Sequence, residues 1–378
     1  MAQDAVAALV VHFSKLEDPR VDRTKKHPLI NIIVIGLCAV ICGAQSFTEM
    51  EEFGKAKREW LSKFLDLSNG IPSHDTFNAV FARLDPVVFE QCLLSWIQAL
   101  EEVTDGQIMS VDGKTLRGSY DRSDNKAAIH MVTVWATTNH LALGSRVVDQ
   151  KSNEITAIPK LLELIDVSGA LVTIDAIGCQ KEIAQKIREE GADYVLAVKK
   201  NQPKLYEAVS SVFSEVLSSE VSLERCRTYR TVERGHGRED DRFYCVVRVA
   251  EDFPLKDQWK DLRALGVVIS YSERDGGESG ATRYYILSRY LSAKRFAEAV
   301  RGHWGIENHL HWHLDVTFGE DDLRIRKGHA PANMSILMRT ALSLLKREGS
   351  LRRGIATKRK RAGWDTAYLT KVLTSHQR

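Results

Sequence analysis

The pattern that most constrains the fold is a change of periodicity near Gln107, where short strand patterns replace the helical spacing of the first hundred residues. Three predicted strands come first, and two amphipathic helices then alternate with two further strands. These seven elements cover residues 108–112, 131–138, 141–148, 154–165, 171–175, 180–190 and 194–198. The order predicts an antiparallel meander followed by parallel crossovers, and therefore an α/β domain with a mixed five-stranded sheet.

A mixed five-stranded sheet with this order is the ribonuclease H-like architecture. Its first and fourth strands are neighbours, so we expect Asp112, at the end of the first strand, beside Asp175, at the end of the fourth. We assign residues 104–201 to the first part of this catalytic core. Residues 202–290 are predicted to form a β-rich insertion, and 291–345 to complete the core with a helix.

That helix, predicted over residues 296–318, carries a third acid, Glu307. At about 100° per residue Glu307 projects from the middle of an apolar face. A bare carboxylate buried there is costly, so it should neutralise or find a cation. Oxygen donors from Asp112, Asp175 and Glu307 together would suit Mg²⁺ or Mn²⁺. The alternative is a structural ion pair between Glu307 and a nearby His or Arg.

The composition is that of an ordinary globular protein, with 44% hydrophobic and 27% charged residues in 378 and a net charge of +3. The six cysteines include no C-x-x-C pair, which is typical of a reduced cytoplasmic protein. The apolar run at residues 29–43 is shorter than a membrane span and contains Asn31, so we interpret it as a buried core helix.

Residues 1–103 are predicted to form an all-α N-terminal domain. Within it, Ser73 is a plausible N-cap, and the following apolar stripe belongs to the second helix of a possible helix-turn-helix that would bind DNA ends. A plain helical bundle is the alternative. Residues 346–378 are interpreted as a basic C-terminal tail suited to a phosphate backbone, or alternatively as a solvated tail.

Several motifs, taken in this order along the chain, resemble the H-repeat-associated family of bacterial insertion-sequence transposases, which belongs to the DDE superfamily. The resemblance runs from about residue 8 to about residue 345. The matching stretches are Gly70-Ile-Pro-Ser-His-Asp-Thr-Phe, Val111-Asp-Gly-Lys-Thr-Leu-Arg-Gly, Lys151-Ser-Asn-Glu-Ile-Thr-Ala-Ile-Pro, Asp175-Ala-Ile-Gly-Cys-Gln, Val198-Lys-Lys-Asn-Gln and the segment from His303-Trp-Gly-Ile-Glu to Phe318-Gly-Glu-Asp.

The resemblance implies a catalytic triad of Asp112, Asp175 and Glu307 that holds two Mg²⁺ or Mn²⁺ ions when DNA is bound. It also implies DNA strand cleavage at element ends, 3′-OH strand transfer into target DNA, and a homo-oligomer on double-stranded DNA. Such a protein would be cytoplasmic, and associated with the nucleoid when DNA-bound. Related insertion sequences have Tyr, Arg and Lys at offsets −7, −4 and +7 from the Glu, where this chain has Val300, His303 and Leu314.

Candidate DNA contacts include basic and polar residues expected at the sheet edge near the triad, and residues near Glu307 that could take the phosphate-contacting role of the family's Arg and Lys. They are Lys114, Arg117, Lys199, Lys200, Asn201, Arg301, His303 and His311.

Three other functions remain open at this level. The i, i+4 pair His309 and His313 could belong to a zinc hydrolase, although no Glu follows the first His and no third ligand is evident. The chain could also be a transposase-derived DNA-binding protein, or a ribonuclease H-like nuclease without strand transfer.

Overall fold

The computed structural model describes residues 9–98, 106–120, 127–148, 154–218, 220–224, 226–235, 238–274 and 277–374. It is a mixed α/β structure with thirteen named α-helices and nine strands in those ranges. The helices are α1 (Leu29–Cys42), α2 (Phe47–Ala56), α3 (Arg58–Leu61), α4 (His74–Phe81), α5 (Pro86–Gln98), α6 (Glu154–Leu162), α7 (Lys181–Glu189), α8 (Pro203–Leu217), α9 (Glu220–Glu224), α10 (Ala293–Ile306), α11 (Ala330–Arg347), α12 (Ile355–Trp364) and α13 (Thr366–Thr374). The strands are β1 (Ile108–Leu116), β2 (Ile129–Ala136), β3 (Leu141–Val148), β4 (Leu171–Ile174), β5 (Asp193–Val198), β6 (Arg227–Gly235), β7 (Arg238–Arg248), β8 (Ala264–Arg274) and β9 (Gly277–Leu287).

The chain divides into two compact units, and the division interrupts both β1 and the last turn of α10. The first unit contains Met1–Val103, Gly113–Lys151 and Ile306–Arg378. The second contains Thr104–Asp112 and Ser152–Gly305. The predicted domain boundary between residues 103 and 104 lies outside the described residues, as do motif residues 151–153 and the chain end at 375–378.

In the second unit the strands are hydrogen-bonded in the order β1-β4-β5-β9-β8-β7-β6. The pairs β1–β4 and β4–β5 are parallel, and every later pair is antiparallel. The predicted neighbours, the first and fourth strands, are therefore confirmed as a parallel pair. Strands β6 to β9 form two long hairpins from the segment predicted to be a β-rich insertion.

Helix α10 packs on the sheet of the second unit through Phe296, which is fully buried. The Phe296 ring lies edge-on to Tyr285 of β9, with ring centroids 5.3 Å apart. A Cβ added at Gly266 of β8 would lie 2.6 Å from the Phe296 ring, so only glycine permits this close approach. The α10–sheet contact thus belongs to the core of this unit.

In the first unit every regular element described before β1 is helical, and strands β3, β2 and β1 are consecutive neighbours. Helix α1 has eleven buried residues among its fourteen, and it packs against α11, which is buried from Ala330 to Leu345. Helix α4 begins as predicted, because the Ser73 hydroxyl accepts a hydrogen bond from the Thr76 amide. No single helix in the described ranges is both long and apolar enough to span a membrane. Helices α1 and α2 are long and apolar enough only when taken together, and they are bent by 95° relative to each other.

The interpretation of residues 346–378 as a basic tail is wrong for the described part of that segment. Helices α12 and α13 pack against α1, so the segment belongs to the helical core of the first unit. Lys358 and Arg359, two of the predicted backbone-binding cations, are buried and donate hydrogen bonds to backbone carbonyls. The basic run was interpreted as a tail because Leu369, Val372 and Leu373, which are buried in the core, lie outside the basic stretch.

Candidate functional site

Asp112 and Asp175 occupy corresponding places on two adjacent parallel strands of the second unit. The β1–β4 register ends at Val111 opposite Ile174, so each aspartate is the residue that follows the last paired position. Asp175 follows the end of β4, and its Oδ1 accepts hydrogen bonds from the amides of Ile177 (3.0 Å) and Gly178 (3.4 Å). The turn after β4 therefore holds this carboxylate in a defined orientation.

The prediction that a strand ends at Asp112 is wrong, because β1 continues to Leu116. Lys114 and Leu116 are buried while Thr115 is exposed, and this alternation extends the strand. Asp112 is therefore an interior strand residue, and it is partly accessible. A carboxylate in this place is held more rigidly than one in a loop.

A buried polar cluster lies on the same side of the sheet as the two aspartates. Ser110 and Thr173 each lie two residues before an aspartate, and alternate strand residues share a face. The Thr173 hydroxyl donates to Ser110 Oγ (3.1 Å) and lies 3.3 Å from His303 Nδ1. Helix α10 thus covers the face of β1 and β4 that carries Asp112 and Asp175, with His303 in contact. His303 was predicted to contact DNA, but at least one of its ring nitrogens faces this cluster.

Glu307 begins a helical segment in the first unit whose geometry the sequence pattern did not predict. Residues Glu307–His311 and His313–Thr317 are π-helical. Ile306, Leu310, Leu314 and Phe318 are buried at a spacing of four, which fits the wider turn of a π-helix. The expectation that Glu307 points from the middle of an apolar face is therefore wrong, since its side chain is 69% exposed.

His311 is an ionisable neighbour of Glu307 within the first unit. Its Nδ1 lies 3.5 Å from Glu307 Oε2, and its side chain is buried. The predicted role of His311 as a DNA contact is not available to a buried ring. The geometry instead fits a residue that orients the Glu307 carboxylate. A contact between Glu307 and a nearby His is what the ion-pair alternative predicted.

Lys114 was also predicted to contact DNA, and the structure contradicts this. Its ammonium group is buried among three carboxylates of the first unit, at 2.6 Å from Asp315, 2.9 Å from Asp321 and 3.4 Å from Glu320. Burial alone would lower the pKa of Lys114, but Glu320 and the hydrogen bonds to Asp315 and Asp321 raise it above the usual value. A residue two places after Asp112 is thereby tied to the segment that follows Glu307.

The same buried cluster includes Arg339 of α11, which lies 2.7 Å from Glu320. Burial would raise the pKa of Glu320, but Arg339 and Lys114 outweigh it and the pKa is lowered. The hydroxyl of Ser335 also donates a hydrogen bond to Glu320. Both cations keep this carboxylate charged, so the cluster is a compensated structural network.

The other candidate DNA contacts differ in their accessibility. Arg117 is 82% exposed and lies 3.5 Å from Asp321. Lys199 and Lys200 are exposed past the end of β5. Asn201 donates a hydrogen bond to the carbonyl of Ala176, and so supports the turn after Asp175. Of these four, the three cations remain predicted DNA contacts.

Arg301 is engaged within the second unit, where it lies 2.8 Å from Glu233 of β6.

The zinc alternative receives no support in the described part of the chain, since neither His309 nor His313 belongs to a group of three possible metal ligands there. Burial lowers the pKa of His313 to about 4, and the ring of His309 lies against that of His140. His313 is half-buried and His309 is exposed, and partial burial lowers the pKa of His309 as well.

Comparisons with known proteins agree with the resemblance described above. The family model described as DDE_Tnp_1-associated matches residues 10–97, and the model described as Transposase DDE domain matches residues 103–344. A protein of Escherichia coli O157:H7 named "Putative transposase YncI" is 41% identical, over 98% of this chain and 95% of its own length. A protein of Escherichia coli K12 named "H repeat-associated putative transposase YhhI" is 38% identical over 97% of each chain.

Among solved structures, the piggyBac transposase synaptic complex with hairpin DNA aligns with 98% of this chain and 78% of its own. The two are 10% identical with a TM-score of 0.38, which is too low to establish a common fold.

Proposed function

The chain belongs to the DDE transposase family, and from that premise we propose that it cleaves DNA at the ends of an insertion sequence and joins the freed ends to target DNA. Asp112, Asp175 and Glu307 are the proposed catalytic carboxylates. The observation that carries the proposal is the pairing of β1 with β4, because Asp112 and Asp175 directly follow the last paired residues, Val111 and Ile174.

The third carboxylate is proposed from the course of α10. His303 of α10 contacts Thr173 on the face that carries both aspartates, and Glu307 follows His303 by four residues along the helical segment. The π-helical turn at Glu307 also supports a functional role, because such turns are frequent at functional sites. His311 then acts as the residue that orients the Glu307 carboxylate.

The donor set fits a hard divalent cation. Three carboxylates offer only oxygen ligands, which Mg²⁺ and Mn²⁺ prefer. Asp175 Oδ1 is already oriented by two backbone amides, so this side chain is held in place before a cation binds. When bound, two such ions supply activation of the attacking oxygen and stabilisation of the leaving oxygen.

The proposed reaction has two chemically similar steps. A water oxygen attacks the phosphorus at the element end, the bond from phosphorus to the 3′ oxygen breaks, and that oxygen leaves as a 3′-OH after taking up a proton. The 3′-OH then attacks a phosphorus of target DNA, and the displaced target 3′ oxygen takes up a proton in turn. Asp112, Asp175 and Glu307 would hold the cations at the reacting phosphate, while Arg117, Lys199 and Lys200 are proposed to contact the flanking backbone.

The strand order is the support for a ribonuclease H-like core. Strands β3, β2 and β1 are consecutive in the first unit and β1, β4 and β5 in the second, which matches the order expected for that architecture.

Double-stranded DNA is the proposed partner, bound by a homo-oligomer at the element's terminal repeats. Helix α4, with its preceding turn, is the proposed reader of those repeats.

A joining assay tests the proposal. Purified protein, Mg²⁺, a pre-cleaved element end and a supercoiled target plasmid should give joined product, whereas Asp112→Asn, Asp175→Asn and Glu307→Gln should each lose it. Glu182→Gln, which changes an exposed acid on α7, is the matched control and should retain joining. Cleavage without joining would indicate a nuclease, DNA binding without either would indicate a regulator, and full activity in any triad variant would exclude that residue as a catalytic carboxylate.

A further inference from the structure

We propose that the second unit carries a separate binding surface for the DNA backbone, formed by Arg227, Arg248 and Arg289 around Tyr290. We call it the Tyr290 surface. It adds a second DNA contact to the proposed function and does not depend on the catalytic carboxylates.

Two guanidinium groups converge on one aromatic ring in this surface. The Arg227 guanidinium carbon lies 3.8 Å from the centre of the Tyr290 ring, and that of Arg248 lies 4.3 Å from it. Arg227 also donates a hydrogen bond to the Tyr290 carbonyl (2.9 Å). The register explains the convergence, because Arg227 is opposite Val246 and Arg248 is two residues further along β7, on the same face.

Nearby carboxylates do not neutralise these two cations. In the described ranges neither Arg227 nor Arg248 has an acidic residue within ion-pair distance. Glu298 pairs with Arg295 (2.8 Å) and Asp193 with Arg188 (2.5 Å). Two like charges on one ring repel each other, and an anion between or beside them would relieve the repulsion.

Arg289 extends the positive surface next to Tyr290 in the chain. Its side chain is 68% exposed, and Asp193, its acidic neighbour at 3.6 Å, is shared with Arg188. Arg227 and Arg248 are exposed as well. Guanidinium groups form paired hydrogen bonds with phosphate oxygens, and the ring faces hold them in a fixed orientation.

The surface lies at the opposite end of the strands from the aspartates. The Ser288 amide donates to the Tyr194 carbonyl, so Arg289 and Tyr290 lie where β5 begins. Asp175 instead follows the end of β4, whose first residue Leu171 is opposite Asp193. Four residues of strand separate the two ends, or roughly 13 Å at 3.3 Å per residue. A DNA segment at the Tyr290 surface is thus distinct from the phosphate that reacts at the carboxylates.

An open array of exposed arginines fits a polyphosphate chain rather than an enclosed small ligand. Backbone contacts of this kind position a duplex without reading its sequence. The surface is therefore expected to bind mixed-sequence duplex DNA, with an affinity that falls as salt concentration rises.

The test measures binding to a mixed-sequence duplex at a series of salt concentrations. Ca²⁺ replaces Mg²⁺ so that binding is measured without DNA cleavage. Arg227→Gln/Arg248→Gln should reduce the slope of log K against log salt by about 1.8, since each phosphate contact contributes about 0.9. At low salt its affinity should fall at least about tenfold. Arg227→Lys/Arg248→Lys should recover most of the slope, because the charge is retained.

The matched control is Arg230→Gln/Arg234→Gln, which removes the same charge from the same strand. Arg230 and Arg234 are paired with Asp241 and Glu239, so the control should change the slope little. An equal fall in both double variants, or no fall in the first, would overturn the proposal. Because binding is measured without catalysis, failure of strand transfer would leave this result interpretable, and thermal unfolding of each variant would verify its fold.

Discussion

Lys114 and Asp315 form a buried ion pair, with Nζ and Oδ1 2.6 Å apart, in the first unit. Lys114 belongs to β1, two residues after Asp112, and Asp315 belongs to the π-helical segment that starts at Glu307. The pair therefore connects the strand of one proposed catalytic carboxylate to the helical segment of another. Its role is structural, and it explains why Lys114 is buried although the sequence pattern predicted that it contacts DNA.

Lys114→Met is expected to destabilise the protein strongly. It leaves Asp315, Glu320 and Asp321 without their shared cation, and removing one partner of a buried pair costs about 3–5 kcal/mol. Urea denaturation measures the free energy of unfolding. Lys204→Met, an exposed lysine on α8, is the control and should change it by less than about 0.5 kcal/mol. An equal, small effect of both substitutions would show that the cluster contributes little.

Asp112→Cys should change the metal requirement of strand joining. A thiolate is a softer ligand than a carboxylate, so activity with Mg²⁺ should fall by about 10³-fold, while Mn²⁺ should restore part of it. Asp112→Asn should not be restored, because the amide provides no anionic ligand. The measurement is joined product per minute with each cation under reducing conditions. Equal rates with Mg²⁺ and Mn²⁺ for the Cys variant would remove Asp112 from the metal site.

Thr173→Val should slow joining through a loss of orientation. The substitution keeps the shape of the side chain but removes its hydrogen bonds to Ser110 and His303, at a cost of about 1 kcal/mol in stability. We expect the joining rate to fall roughly tenfold with little change in DNA affinity, since 1.4 kcal/mol corresponds to a factor of ten. Thr173→Ser should restore the rate. A Val variant with the wild-type rate would show that His303 does not depend on this contact.

Glu90 should make stability depend on pH. Burial raises its pKa from 4.5 to about 7, although hydrogen bonds from Ser145 oppose the shift. The folded state then holds a proton that the unfolded state releases between pH 4.5 and 7, so stability falls as pH rises through that window. The loss is up to about 3 kcal/mol at 1.36 kcal/mol per pH unit. Urea denaturation from pH 4.5 to 8 should show this fall in the native protein, and Glu90→Gln should flatten it; a curve with the same slope in both would refute the assignment.

Local patterns in the sequence were sufficient to predict most of the helices and strands. Alternating and apolar runs predicted β2 to β5, and the Ser73 cap predicted the start of α4. The neighbourhood of β1 and β4 also followed from the order of elements, because few topologies accommodate that order. Asp112 and Asp175 could therefore be placed side by side without coordinates.

What the sequence could not determine depends on contacts between distant segments. Lys114 looks like a surface group along the chain, and it is buried because the segment near residue 315 packs against it. His311 looks like a surface group as well, and its ring is buried. The prediction that Glu307 lies on an apolar face assumed a regular α-helix. In the structure this segment is π-helical, Leu310 and Leu314 are buried, and the Glu307 side chain is exposed. Side-chain periodicity reports local geometry, but burial and hydrogen-bond partners are properties of the assembled core, which is why only the tertiary structure decided them.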